Sequence, residues 1–208
     1  MSGIPITAGS ERPVVPMTSG NPEGKGANGL LADWRHSEPR GVVAKPRRQV
    51  LAELFTSMLV LSASFRYRPA VGVPNYLYFI DGRWSLSLIA PEEWSAQRRA
   101  GFVGTCILET DMTWTIAPSG RLAENADATA ALARFHAGFA QMLDTDLALE
   151  DILPFHVGRL PYYRRLHASA LGRSLRATVT LGDQAATACR DWRMLLPRQA
   201  SPLLASES

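Results

Sequence analysis

The sequence predicts an α+β protein built on a small antiparallel sheet, and three observations carry that prediction. Asp81-Gly82 lies between two alternating runs, Asn75-Tyr76-Leu77-Tyr78-Phe79-Ile80 and Arg83-Trp84-Ser85-Leu86-Ser87-Leu88-Ile89, which is a hairpin pattern because a type I′ turn needs positive φ at both central residues. A stripe of Val50, Leu51, Leu54, Phe55, Met58, Leu61, Ser62 and Phe65, at three- and four-residue steps, precedes it. Helix-length periodic segments follow from about residue 126. The expected architecture is a twisted β-meander over 72–117 packed with the preceding core helix and the C-terminal helices, with partial closure in the manner of an SH3-type barrel as a variant.

Residues 1–45 are rich in Pro, Gly, Ser and Thr and have little apolar periodicity. Such a segment buries too little surface to offset its ordering entropy, so a largely disordered arm is expected. The exception is Leu30-Leu31-Ala32-Asp33-Trp34, which reads as a short docking helix or peptide. The glycines near Asn21-Pro22-Glu23-Gly24-Lys25-Gly26 lack a GxxxxGK[ST] pattern and a preceding strand, so they read as linker. Pro46 suits the start of a helix, and Pro69 requires an extended residue before it, so the core helix ends ahead of Arg66-Tyr67-Arg68. Its stripe is placed against the apolar face of the hairpin.

A two-residue loop pairs Ile80 with Arg83, Phe79 with Trp84, Tyr78 with Ser85, Leu77 with Leu86, Tyr76 with Ser87 and Asn75 with Leu88. Alternation puts Leu77, Phe79, Trp84, Leu86 and Leu88 on one face and Tyr76, Tyr78, Arg83, Ser85 and Ser87 on the other. Burial of the Phe79 and Trp84 rings makes Trp84→Ala severely destabilising on this reading. A helical turn follows at Pro91-Glu92-Glu93, with two carboxylates at its positive end and Trp94 closing it. Phe102 to Leu108 and Thr113 to Ile116 read as two more strands, joined by a turn at Glu109-Thr110-Asp111-Met112.

Here the chain resembles the family of bacterial and eukaryotic proteins catalogued as domain of unknown function 2452. The resemblance rests on Phe65, Pro69, Gly72, Tyr76-Leu77-Tyr78, Gly82, Leu86-Ser87-Leu88-Ile89-Ala90-Pro91, Glu93-Trp94, Phe102, Leu108, Asp111 and Thr113-Trp114, over about residues 65–115. The family pattern follows Glu-Trp with Gly, where this chain has Ser95. The resemblance implies a domain and assigns no catalytic residue.

In the second half, Asp127 reads as the N-cap of a helix to about Leu143, with Leu132, Phe135, Phe139, Met142 and Leu143 on one face. A short helix is expected within 147–153, an irregular connector at 155–160, a helix from Tyr162 to about Ala177 and an amphipathic helix from Asp183 to Leu196. Gly172 inside the third suggests close packing. The domain reading is a disordered arm over 1–45, one α+β domain over 46–197 with its helical part at 126–197, and a loose tail over 198–208.

At 208 residues, 46% hydrophobic and 20% charged, the composition is that of a globular protein, and a net charge of +3 is compatible with polyanions without requiring them. Cys106 and Cys189 have no metal spacing and read as buried thiols. No secretory leader and no run of about 18 apolar residues is visible, which leads to a cytosolic expectation without membrane attachment. No cofactor and no metal site is expected.

Three functional readings result. The first is a non-catalytic binding or adaptor module for a protein partner, using Tyr76, Tyr78, Arg83, Glu93, Trp94, Asp111 and Trp114, because aromatics with carboxylates suit a cationic or peptide ligand. The alternative role for these residues is as core plugs and turn-bonded carboxylates. The second is RNA or ribosome association through Arg159, Arg164, Arg165, Arg173 and Arg176 beside His167, Tyr162 and Tyr163; the alternative has these guanidiniums pairing with Asp144, Asp146, Glu150 or Asp151. The third is a small hydrolase or transferase. His36, His136, His156 and His167 form no HExxH or HxH, and no GxSxG or Walker motif is present, although spatial pairs such as Glu93 with His156 remain open. The sequence leaves the oligomeric state open.

Overall fold

The structure is a computed structural model that describes residues 27–153 and 160–204. The chain divides into two compact units, Met1–Arg35 and His36–Ser208. The described part of the first is helix α1 (Ala27–His36), formed around the Leu30–Trp34 segment and running one residue past the boundary. The remainder of the expected arm, residues 1–26, lies outside the described residues, as does most of the expected connector at 155–160.

In the second unit, α2 (Arg47–Ser62) leads into a four-stranded antiparallel sheet of β1 (Pro74–Ile80), β2 (Arg83–Ser87), β3 (Phe102–Leu108) and β4 (Trp114–Pro118). A 3-10 turn (Pro91–Glu93) and α3 (Ala96–Arg99) join β2 to β3. After the sheet come α4 (Ala126–Met142), α5 (Tyr162–Leu181), α6 (Cys189–Arg193) and α7 (Ser201–Leu204). The architecture is α+β, as the sequence predicts.

The hairpin has the expected register over five pairs, from Ile80–Arg83 to Tyr76–Ser87. Asp81 and Gly82 carry the positive φ values of a type I′ turn, 51° and 73°. The meander order is corrected: the strands run β2-β1-β3-β4, so β3 lies against β1 and not β2. The Pro91–Arg99 connector is long enough to carry the chain back past β2. The sheet is open, with β2 and β4 at its edges, rather than a partial barrel. Both edges are occupied by side chains or extended backbone: Ser64 bonds the main chain of Trp84 and Leu86, while the Thr56 and Ser57 hydroxyls of α2 bond the main chain of Trp114.

The inner face carries Leu77, Phe79, Leu86, Val103, Cys106, Leu108, Trp114 and Ile116, all buried. Helix α2 packs on this face over β4 rather than over the hairpin end, because its two hydroxyls seek Trp114. Trp84 is therefore half-buried, its ring tilted against Phe79 at 4.8 Å between centroids. Its truncation costs less than full burial would imply. Leu88, expected on the buried face, is 54% exposed, since β2 ends at Ser87 and the chain turns away. Phe55 of α2 meets Phe135 and Phe139 of α4 edge-on at 5.4 and 5.3 Å, which extends one core from sheet to helices.

Several boundaries differ from expectation. Asn125, not Asp127, caps α4 by accepting from the Ala128 N–H at 2.9 Å. The short helix in 147–153 is a 3-10 turn over Leu149–Asp151. The helix expected over 183–196 shrinks to α6, because Asp183 and Ala186 adopt left-handed φ values of 52° and 61°. The tail expected to be loose carries α7, whose Leu203 and Leu204 are buried in the core beside α2 and β4. The second unit also begins at His36, ahead of the expected boundary at 46. Residues 37–45 are held by hydrogen bonds that composition does not reveal, from Arg40 N to Thr110 O, Arg173 to Ser37 O and Gln184 to Lys45 O.

Candidate functional site

The pleat of the sheet divides the first set of candidate residues. Trp114 points inward, 1% exposed, as a core plug. Tyr76 and Tyr78 point outward from β1 and meet Phe102 of β3 at 6.3 and 5.6 Å between centroids. Trp94 closes over Tyr78 edge-on at 6.5 Å, and Arg98 stacks on the Trp94 ring at 4.3 Å. Tyr78 is buried by this cover, its hydroxyl donates to Ile89 O at 2.9 Å, and loss of solvent pushes its pKa up to about 12. Glu93 is exposed and accepts from the Ala90 N–H at 3.1 Å. Arg83 is exposed beside the hairpin turn. Ser95, where the resembled family has Gly, takes an ordinary φ of −55° as the residue before α3.

The rest of the outer face stays half-exposed: Tyr76, Phe102, Thr105, Ile107 and Thr115. Val71, Val73, Leu88 and Ile89, between 40% and 54% exposed, extend it where the Tyr76–Ser87 pair ends the hairpin. At the other end of the sheet, beside Phe102, a groove of about 710 Å³ opens between the hairpin turn, the Pro91–Phe102 connector and the start of α4. Asp81, Glu92, Glu124, Asp127, Arg99 and Arg121 line it over an apolar base of Pro91 and Phe102. Its walls are tied together by Asn125 Nδ2 donating to Ala100 O at 2.9 Å and Ser119 N to Val103 O at 2.8 Å. Gly101 is obligatory at its base, since a Cβ there would meet Phe79 O at 2.7 Å. Sequence reading missed this groove because its walls come from three segments that only the fold brings together.

Asp111 belongs to a different constellation. Lys45 Nζ donates to both Glu53 oxygens at 2.8 and 2.7 Å and to Asp111 Oδ2 at 2.6 Å. Thr113 donates its N–H and hydroxyl to Asp111 Oδ1, and Gln49 donates to Glu53. Burial pushes the Asp111 carboxyl up, but the bonds from Lys45 and Thr113 outweigh it and hold the pKa below its ordinary value. At Glu53 burial wins over Lys45 and the pKa rises. Burial also opposes the Lys45 charge, yet its two carboxylates prevail and raise its pKa. This triad ties the entry of α2 to the β3–β4 turn, where Met112 holds a left-handed φ of 68°. The sequence reading missed this triad; Glu53 within the apolar run of α2 is the signal it left unused.

The arginines are mostly committed to main-chain carbonyls. Arg164 donates to Ala63 O at 3.2 Å, just past the end of α2; Arg173 donates to Ser37 O at 3.0 Å; Arg176 donates to Glu150 O and Leu153 O. Arg165 is exposed, and Arg159 lies outside the described residues. The acidic partners expected for them are taken elsewhere: Asp144 pairs with Arg193 at 2.9 Å and Asp146 with Arg190 at 3.0 Å. His167 is buried, with both ring nitrogens lacking a hydrogen-bond partner among the described residues. Burial, then Arg68, lowers its pKa to about 4. His156 lies outside the described residues, so the Glu93–His156 pair has no structural description.

Lys45, Glu53, Asp111 and His167 line no part of the groove. Among the described residues no group of three or more His, Cys, Asp or Glu is placed to hold a metal ion, and no helix is long and apolar enough to cross a membrane. Cys106 and Cys189 are buried and free. Residues 44–136 match the family described as Protein of unknown function (DUF2452), a wider span than the 65–115 on which the resemblance rests. The match takes in Lys45, Glu53 and Asp111 together with the whole sheet. No curated protein and no solved structure matches the chain.

Proposed function

We propose that this protein is a non-catalytic binding module that holds a protein partner on the outer, aromatic face of its sheet. The observation that carries the reading is the continuity of that face. Half-exposed Tyr76, Phe102, Thr105 and Ile107 adjoin across β1 and β3, with exposed Ile89 tied to Tyr78 on one side and an open groove beside Phe102. Contiguous apolar surface rimmed by carboxylates is the usual character of a recognition surface. The bonds that Ser64, Thr56 and Ser57 make to Trp84, Leu86 and Trp114 occupy part of both edges and favour side-chain recognition across the face over strand addition. Asp111 and Trp114 leave the binding set as structural residues, and the acidic component passes to Glu92 and Glu93 beside Trp94. Catalysis has less support, since the shifted carboxylates Glu53 and Asp111 and the buried His167 lie outside the groove.

The test is capture from a native-host lysate at physiological salt, with parent, Tyr76→Ala and Thr105→Lys proteins, before and after nuclease treatment. The expected result is a protein that survives nuclease and is lost from both variants while their thermal midpoints stay near that of the parent. Retention by both folded variants, or dependence on nucleic acid, would overturn the reading.

A further inference from the structure

We propose that the groove beside Phe102 receives a positively charged, extended Lys/Arg-bearing peptide segment; this rests on the binding-module reading and specifies its ligand. Charge complementarity is the first argument. The groove is lined by four carboxylates, Asp81, Glu92, Glu124 and Asp127, against two guanidiniums, Arg99 and Arg121, a net of −2, in a chain whose overall charge is +3. Arg121 is neutralised by Glu124 at 2.9 Å, and Arg99 turns back to donate to Trp94 O at 3.2 Å. Asp81, Glu92 and Asp127 are left exposed at the groove against Arg99, the one lining cation not paired with a carboxylate, which keeps the excess negative.

The base of the groove fits the same ligand. The half-buried Phe102 offers apolar surface for the aliphatic stem of Lys or Arg and a ring for its charge. The protein already uses this chemistry next door, where Arg98 lies on Trp94. An anion is the poorer fit. The start of α4, which would attract one, is capped by Asn125 and carries Asp127 in its first turn. A volume of about 710 Å³ lies within the range of ligand sites and accommodates more than one side chain, and the walls are cross-tied, so the site needs little ordering on binding.

The experiment measures fluorescence anisotropy of a fluorescein-labelled tetra-arginine peptide titrated with the full chain, with a labelled tetra-glutamate peptide as control. Saturable binding of tetra-arginine alone is expected, weakening as salt is raised. In Glu92→Gln/Asp127→Asn, two exposed substitutions, Kd should rise about tenfold or more. In Arg99→Gln it should fall. Absence of saturable binding, an unchanged Kd in the double variant, or equal binding of tetra-glutamate would overturn the proposal. If it is overturned while capture of the cellular partner still depends on Tyr76 and Thr105, the binding-module reading stands without this ligand; loss of both results removes both.

Discussion

Lys45 joins two buried carboxylates, and its removal should be costly because the charges left behind have no water to turn to. Side-chain exposures of 11% for Lys45, 9% for Glu53 and 8% for Asp111 place all three below effective screening. Lys45→Met should lose about 3–5 kcal/mol in urea unfolding, whereas Lys45→Met/Glu53→Gln/Asp111→Asn, which removes the charges together, should lose less. A loss under about 1 kcal/mol for the single variant, as for an exposed pair, would show the triad to be ornamental. His167 gives a pH signature. Its folded pKa of about 4 lies below the unfolded value near 6.5, so below pH 6.5 the unfolded chain takes up a proton that the folded chain refuses. Stability should therefore fall by about 3 kcal/mol between pH 6.5 and 4 and level off below. His167→Phe should flatten that slope, and an unchanged slope would assign it to other groups. This scale was not read from the sequence: nothing in the linear chain joined Lys45 to Glu53 and Asp111, or showed that His167 would be buried.

At the scale of elements, the hairpin was legible because turn chemistry and alternation are local and agree with each other. Gly82→Ala should test that agreement, costing about 1 kcal/mol through its φ of 73°; no loss would mean that the turn relaxes freely. What the sequence did not reveal was non-local. The order β2-β1-β3-β4 depends on where the Pro91–Arg99 connector delivers the chain, and the arginines of α5 read as a phosphate-binding row because carbonyl partners at 63, 150 and 153 are invisible to charge counting. Helix α7 was hidden for a similar reason: two leucines in a four-residue helix carry no period. Truncation after Pro197 should remove buried Ala200, Leu203 and Leu204 and lower stability by about 3–6 kcal/mol, taking about 1.5–3 for each leucine. An unchanged urea midpoint would return the segment to the status of a tail.

At the largest scale, the second unit is asymmetric about its sheet. Helices α2 and α4 and the C-terminal α7 share a core with the inner face, while the outer face is, among the described residues, covered only in part, where Trp94 closes over Tyr78. On the proposed reading this separates stability from recognition, with buried Trp114 and Asp111 on the stability side and half-exposed Tyr76 and Phe102 offered for binding. The candidate site was half legible, since aromatics alternating with serine on β1 and β2 marked an outward face, but the groove required the β2–β3 connector and α4 to meet. The most direct test is hydroxyl-radical footprinting of the chain alone and in complex with the captured partner, read by mass spectrometry. Reduced oxidation of Tyr76, Phe102, Leu88 and Ile89, with Met194 on the distant helical half unchanged at its 84% exposure, is the result expected. Protection around Arg165 on α5 with an unaltered sheet face would contradict the account.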